Sequence, residues 1–166
     1  MQISSKKDPA QLLNGLIARE LPDGGGVEAW SALLRAHASL LRQMDGHLYA
    51  ETGLGLGDFD VLAQLALAHG EMRMSELAEK ALSSRSGMTR RIARLVDDGL
   101  VRRKKGGDDG RAVVVALTAK GVSRLTAIAP IHFRDIQALF VSQLDADELT
   151  VVERAMKKVE LDCDFG

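Results

Sequence analysis

The stretch that decides the fold is SSRSGMTRRIARLVDDGLVRRKKGGDDGRAVVVAL, residues 83–117. Its first half places Met88, Ile92 and Leu95 at helical spacing, and Gly99 stands where a C-terminal cap glycine belongs. After Gly99 the helical spacing of apolar residues ends. A short basic run (102–105) and a β-branched run (113–115) flank a tip rich in glycine and aspartate (106–110). This pattern predicts a helix that is followed by a β-hairpin.

Positive charge is concentrated in the same stretch. Between Arg85 and Arg111 there are nine basic and four acidic residues, a net charge of +5, although the whole chain carries −1. Basic charge concentrated on one segment is typical of a nucleic-acid-binding surface, even where the net charge of the whole chain is close to zero. A solvated, charged helix face would have the same composition, so charge alone leaves both interpretations open.

The sequence before this stretch predicts four helices. Asp58 and Ser75 are the expected N-caps of the two shorter ones, because their side chains accept hydrogen bonds from a first helical turn. The predicted helices run from Pro9 to about Pro22, from Val27 to about Thr52, from Phe59 to about Ala68 and from Glu76 to Leu82.

Two more helices are predicted after the hairpin. Thr118 is placed to cap a long helix over residues 119–141, in which Pro130 predicts a kink or a break. Asp145 and Glu148 have the spacing of a capping box and predict the start of a last helix, which fades near Asp162.

Composition limits the classes of protein. A chain of 166 residues fits one domain, and an aromatic content of 4% favours a helical core of aliphatic residues. There is no apolar run of roughly 20 residues, no export signal and a single cysteine, so we expect a cytoplasmic protein without membrane contact. No nucleophile elbow or phosphate-binding glycine loop is present, and we expect neither an enzyme nor a cofactor.

The predicted order of elements favours DNA as the partner. A short helix, a tight turn and a basic helix form a helix-turn-helix, whose second helix enters the major groove, and a basic hairpin adds phosphate contacts. Arginines and small hydroxyl side chains provide the donors that base edges and phosphates require. The predicted DNA-binding residues are Ser84, Arg85, Ser86, Thr89, Arg90, Arg91, Arg103, Lys104, Lys105, Asp109 and Arg111. Arg91 and Arg94 are equally suited to brace the fold.

An ordered set of short motifs resembles the MarR family of transcription regulators. The resemblance covers about residues 58–121 in detail. The motifs are Ser75-Glu76-Leu77-Ala78, Thr89-Arg90-Arg91-Ile92-Ala93-Arg94-Leu95, Gly99-Leu100-Val101-Arg102-Arg103, Asp109-Gly110-Arg111 and Leu117-Thr118-Ala119-Lys120-Gly121.

The resemblance implies a fold that is mainly α with a small β wing, a winged helix-turn-helix with dimerisation helices at both ends. It divides a single compact chain into N-terminal dimerisation helices (1–57), a DNA-binding lobe (58–121) and C-terminal dimerisation helices (122–166). It further implies a homodimer on a pseudo-palindromic double-stranded DNA operator, with repression relieved by a small aromatic or anionic effector. In the family's wing, the aspartate (here Asp109) orders the hairpin and the arginine (here Arg111) probes the minor groove.

A finer resemblance concerns the effector. The additional N-terminal helix, Trp30, Asp60 and Arg94 are similar to the urate-responsive branch of the family, in which such residues line a ligand pocket. Each residue also has an ordinary explanation: core or dimer packing for Trp30, a favourable helix N-terminal charge for Asp60, and DNA contact or an ion pair for Arg94.

Other sensing and binding roles remain as alternatives. Cys163 suggests a redox-responsive regulator, but the neighbouring Asp162 and Asp164 disfavour a reactive thiolate. His47 and Glu51 lie four residues apart on one predicted helix and suggest a metal-responsive regulator, but no third ligand is near, so no metal site is expected. A winged helix that binds only protein partners is disfavoured by Arg85, Arg90 and Arg111.

Overall fold

The computed structural model describes residues 8–21, 26–80, 85–105 and 112–162. The chain divides into two compact units, Met1–Ser39 and Leu40–Gly166. The elements within the described ranges are helices α1 (Pro9–Glu20), α2 (Val27–Thr52), α3 (Leu56–Leu67), α4 (Met74–Lys80), α5 (Arg85–Asp97), α6 (Ala119–Leu139) and α7 (Ala146–Asp162), strands β1 (Glu71–Arg73), β2 (Val101–Lys105) and β3 (Val113–Leu117), and a 3-10 turn at Val141–Gln143.

The predicted fold class is confirmed, since the protein is mainly helical with one small antiparallel sheet. The predicted basic helix and both strands of the hairpin form where the change of period placed them. Strand β1 was not predicted. It pairs with β3, with Met72 opposite Val115, and gives the sheet the order β1-β3-β2. Three residues are too few to show a strand periodicity in a sequence.

Helix α3 begins earlier than predicted, and Asp58 is not its N-cap. Gly55 is the N-cap, and Asp58 is the third helical residue, where its Oδ2 accepts a hydrogen bond from the Gly55 N–H at 3.2 Å. The Leu56 N–H donates to Oδ1 of Asp45, a residue of α2, at 2.7 Å. The exposed donors of the first turn are therefore satisfied by two carboxylates, which allows a helix to start at a glycine.

Helix α4 also begins earlier than predicted. It starts at Met74, directly after β1, so Ser75 lies inside the helix and is not its N-cap. The sheet pairing ends at Arg73, and the chain turns into the helix without a linker in which a cap residue would stand. The predicted end at Leu82 lies outside the described residues.

The predicted start signals of the last two helices are confirmed. Thr118 Oγ1 accepts from the Gly121 N–H at 3.0 Å, and Asp145 and Glu148 exchange side-chain to backbone hydrogen bonds at 2.8 and 2.9 Å. Helix α6 continues through Pro130, so no break forms there. A proline removes one hydrogen bond of the helix, and the flanking turns keep α6 continuous.

The buried core lies in the second unit. Its fully buried side chains come from α2, α3, α4, α5, α6 and the sheet. They are Leu48, Val61, Leu62, Leu65, Leu77, Met88, Ile92, Leu95, Val101, Val115 and Ile128. None of the helices in the described ranges has the combination of length and apolar character that a bilayer crossing requires.

Candidate nucleic-acid interface

Helix α5 presents one face to the core and one to solvent. Met88, Ile92 and Leu95 are fully buried, at the spacing that sequence analysis assigned to the inner face. Arg90 is exposed and makes no ion pair with any residue in the described ranges. A helix held by one apolar face and carrying a solvated arginine on the other can place that arginine against DNA.

The C-terminal end of α5 is closed by a glycine that the backbone requires. Gly99 has a φ of 71°, a left-handed conformation that side chains rarely adopt. The Gly99 N–H donates to the Val96 carbonyl and the Leu100 N–H to the Leu95 carbonyl, both at 2.9 Å. These two hydrogen bonds form a Schellman motif, which stops the helix and directs the chain into β2.

A buried carboxylate connects α5 to α3. Asp58 is 4% exposed, and its Oδ1 accepts from Nε of Arg91 at 3.1 Å and from Nη2 of Arg94. Gly57 permits this approach, since a Cβ at that position would overlap the Arg91 guanidinium. Asp58 therefore fixes α5 relative to α3, and bracing is the observed role of Arg91 and Arg94.

The pairing with Asp58 does not remove both arginines from solvent. The Arg91 side chain is 25% exposed and that of Arg94 is 57% exposed. A guanidinium has five N–H donors, so the more exposed Arg94 retains donors that a second anion could reach. A phosphate contact by Arg91 and an effector contact by Arg94 stay predictions.

The first strand of the hairpin carries the second group of cations. Arg102, Arg103 and Lys105 are exposed, whereas Lys104 is half-buried and donates to Oε2 of Glu71 at 2.5 Å. The hydrogen bond and the charge of Lys104 lower the pKa of Glu71. Exposed pairs of this kind contribute little stability, so Lys104 can exchange Glu71 for a DNA phosphate at small cost.

Several predicted DNA-binding residues fall outside what the structure describes. Ser84, Asp109 and Arg111 are not among the described residues, and α5 begins at Arg85 and Ser86, whose side chains are likewise outside the description. Thr89 is exposed and lines a cavity of about 250 Å³ with Met74, Ser75 and Ala78 of α4.

The predicted effector residues lie on three different helices. Trp30 belongs to the first unit and is 59% exposed. Asp60, on α3, is half-buried and accepts from Nε2 of Gln64 at 3.3 Å. Arg94 forms an ion pair with Asp58. The ion-pair explanation of Arg94 is thus observed, and its effector role stays a prediction.

A group of ionisable side chains lies where α2, α3 and α6 meet. His47 Nδ1 and Asp135 Oδ1 are 2.7 Å apart, and Glu51 is 3.5 Å from Nε2 of the same histidine. His132 packs against Phe59 with a ring-centroid distance of 4.2 Å. Burial lowers the pKa of His132, although the negative charges of Asp135 and Asp60 act in the opposite direction. The group links the lobe helix α3 to α6.

The structure offers no further support for the metal and redox alternatives. Within the described ranges, no group of three or more histidine, cysteine, aspartate and glutamate side chains is arranged to hold a metal ion. Cys163 lies outside the described residues.

Sequence reasoning missed Asp58 as a bracing residue and Asp45 as a cap. Asp58 stands 33 residues before Arg91, and Asp45 stands 11 residues before Leu56, and neither spacing carries a local signal. The one available hint was two acidic residues flanking the predicted start of α3.

Comparison with known proteins agrees with this geometry. The model of the MarR family matches residues 52–112, from the end of α2 into the wing. The transcriptional repressor YetL of Bacillus subtilis is 28% identical over 76% of this chain and 75% of its own length.

The fold is also shared with solved MarR regulators. AbsC of Streptomyces coelicolor superposes with a TM-score of 0.74 and 29% identity over 81% of this chain and 90% of its own. Sco3205 of the same organism was solved in complex with DNA. It superposes with a TM-score of 0.76 and 26% identity, over 82% of this chain and 86% of its own. Together these matches support the MarR family. The chain is thus similar to MarR-type DNA-binding transcriptional regulators, and the relatives it matches are regulators rather than enzymes.

Proposed function

We propose that this MarR-type protein is a ligand-responsive repressor that binds a pseudo-palindromic operator as a homodimer. The observation that supports sequence-specific binding is the pairing of Asp58 with Arg91 and Arg94, which fixes α5 while Arg90 is left exposed. A rigid recognition helix holds its base-contacting groups in place before DNA binds, so less conformational freedom is lost on binding.

The homodimer proposal is supported by apolar side chains on the helices at the two ends of the chain. Exposed side chains in the first unit include Leu13 at 58% and Trp30 at 59%, and exposed side chains on α7 include Val151 and Val159, both at 51%. Apolar surface of this extent is typical of an interface. A second copy of the chain would bury it and place two recognition helices one turn of DNA apart.

DNA binding is tested by fluorescence anisotropy with the DNA upstream of the protein's own coding sequence. We expect nanomolar-range binding that weakens as salt rises, because each phosphate contact releases counterions. Arg90→Ala and Arg111→Ala should each weaken binding by at least about tenfold, which is the loss of roughly one base contact. Arg134→Ala, which removes an exposed arginine of α6, is the matched control.

Two outcomes would contradict this proposal. If Arg90→Ala and Arg111→Ala bind with the affinity of Arg134→Ala, α5 and the wing do not read the operator. If sedimentation velocity shows a monomer at the concentrations that saturate DNA, the homodimer is wrong.

For the effector we propose a small aromatic anion that contacts Trp30, Asp60 and Arg94, as in the urate-responsive branch. The exposed ring of Trp30 and the unused donors of Arg94 support this class of ligand. Urate should raise the melting temperature of the wild-type protein, and Trp30→Ala and Asp60→Asn should abolish the rise. An equal rise in both variants would exclude this branch, without affecting the DNA-binding proposal.

A further inference from the structure

A cavity of about 510 Å³ lies where the C-terminal ends of α2 and α5 meet the first turns of α6. Its volume is in the range of small-molecule sites. None of the residues proposed for DNA or effector binding lines it. The lining residues are Thr52, Gly53, Leu54, Asp98, Leu100, Lys120, Ser123, Arg124 and Ala127.

Two cationic side chains of α6, Lys120 and Arg124, line this cavity and have N–H donors beyond those in their described hydrogen bonds. Nζ of Lys120 donates to the Asp98 carbonyl at 2.7 Å, and Nη2 of Arg124 donates to the Thr52 carbonyl. Within the described ranges neither cation pairs with a carboxylate. An ammonium has three donors and a guanidinium five, so most of them are unused.

The rest of the lining suits an apolar body with one charged end. Leu54 and Leu100 are 6% and 4% exposed and provide apolar walls, and Ser123 adds a hydroxyl. Asp98 is the one acidic residue among the lining residues, so cations outnumber it. We propose that this cavity binds a small organic anion, whose carboxylate is held by Arg124 and Lys120 and whose apolar part contacts the two leucines.

Such a ligand would act on two helices at once. The carbonyls that now accept from Lys120 and Arg124 belong to the ends of α5 and α2. A carboxylate that draws both cations towards itself weakens these two contacts and alters how α6 holds the recognition helix. The site shares no residue with the Trp30 effector site proposed above, and coupling to DNA affinity would be reciprocal.

The probe for this site is cyclohexanecarboxylate, with the uncharged cyclohexanecarboxamide as its matched control. Titration of the full-length, DNA-free protein by ¹H–¹⁵N NMR should show saturable shifts at the amides of Gly53, Leu100 and Gly121. The carboxamide should bind at least about tenfold more weakly, because it cannot form charge-assisted hydrogen bonds with the two cations.

Three variants decide the location. Arg124→Gln should weaken cyclohexanecarboxylate binding at least about fivefold through the lost charge. Ser123→Phe keeps both cations, fills the cavity from an exposed position of α6 and should abolish binding. Arg134→Gln removes a cation of the same helix outside the cavity and should bind as the wild-type protein does.

The proposal is overturned by any of three results. These are the absence of saturable binding to the wild-type protein, equal affinity in Ser123→Phe and Arg134→Gln, and a loss of affinity in Trp30→Ala. Because no DNA is present in these titrations, failure of this site is distinguishable from failure of the DNA-binding proposal.

Discussion

The proposed DNA-binding lobe, residues 58–121, and the helices α1 and α7 differ in where their apolar side chains lie. In the lobe, Leu62, Leu77 and Leu95 are fully buried. In α1 no residue is buried, and none of the described side chains of α7 is buried. The helices of both regions have an apolar and a polar face in sequence. They differ in whether another element of the same chain covers the apolar face.

We infer two sources of stability from this difference: packing within one chain and packing between two copies of the chain. The lobe completes its core within one chain, because α3, α4, α5 and the sheet pack together with parts of α2 and α6. Within the described ranges no residue of α1 or α7 is buried, and the homodimer proposed above would cover their apolar faces. Stability of the end helices should therefore depend on protein concentration, and stability of the lobe should not.

Core truncation should give the largest effect. Leu95→Ala should lower the free energy of unfolding by about 2–5 kcal/mol, because it leaves a cavity among fully buried neighbours. Leu13→Ala should cost under about 0.5 kcal/mol in dilute protein, as an exposed substitution does, and more as dimers form. Urea unfolding at two protein concentrations measures both values. A concentration-independent loss for Leu13→Ala as large as that for Leu95→Ala would remove the distinction between the regions.

Replacing the buried carboxylate of Asp58 should give the second-largest loss of stability. Asp58→Asn should cost about 2 kcal/mol, because Arg91 and Arg94 lose their counter-charge at a buried site. It should also weaken operator binding, since α5 is no longer fixed to α3. Asp60→Asn, at the half-buried aspartate two residues further along α3 that accepts from Gln64, is the matched control. Equal unfolding curves for the two variants would show that the Asp58 pairs do not stabilise the lobe.

A glycine in each region provides the third comparison. A Cβ on Gly121 would overlap the Leu100 carbonyl oxygen, whereas a Cβ on Gly15 of α1 meets nothing within 4 Å. Gly121→Ala should cost about 1–3 kcal/mol through forced backbone shifts. Gly15→Ala should stabilise by up to about 1 kcal/mol through helix propensity. Thermal unfolding reports the sign, and a stabilising Gly121→Ala would contradict the close contact.

The smallest effect concerns pH. Burial lowers the pKa of His132 below 6.5 in the folded protein, so the unfolded chain binds a proton more readily. The contribution of His132 to stability is complete above pH 6.5 and is lost as pH falls from 6.5 towards the folded pKa. Urea midpoints between pH 7.5 and 5 should fall less steeply for His132→Gln than for the wild-type protein. Parallel profiles would show that His132 does not titrate in this way.

Local pattern was enough for much of the fold and for part of the site. Helix α5, its inner face, its terminal Gly99 and the hairpin follow from spacing and turn chemistry, which act over a few residues. The capping box at Asp145 followed from a four-residue pattern and forms as expected. Strand β1 and the starts of α3 and α4 did not follow, because they depend on β3, on Asp45 and on each other across the chain.

The sequence by itself determined a winged helix-turn-helix with a basic recognition helix, because periodicity, caps and turns are properties of neighbouring residues. The tertiary structure alone decided which cations are held and which are exposed. Arg90 and Arg91 are adjacent in sequence, yet Arg91 points to a carboxylate 33 residues away and Arg90 does not. The physical reason is that an ion pair depends on distance in space, and the fold sets that distance by bringing Asp58 of α3 next to Arg91 of α5.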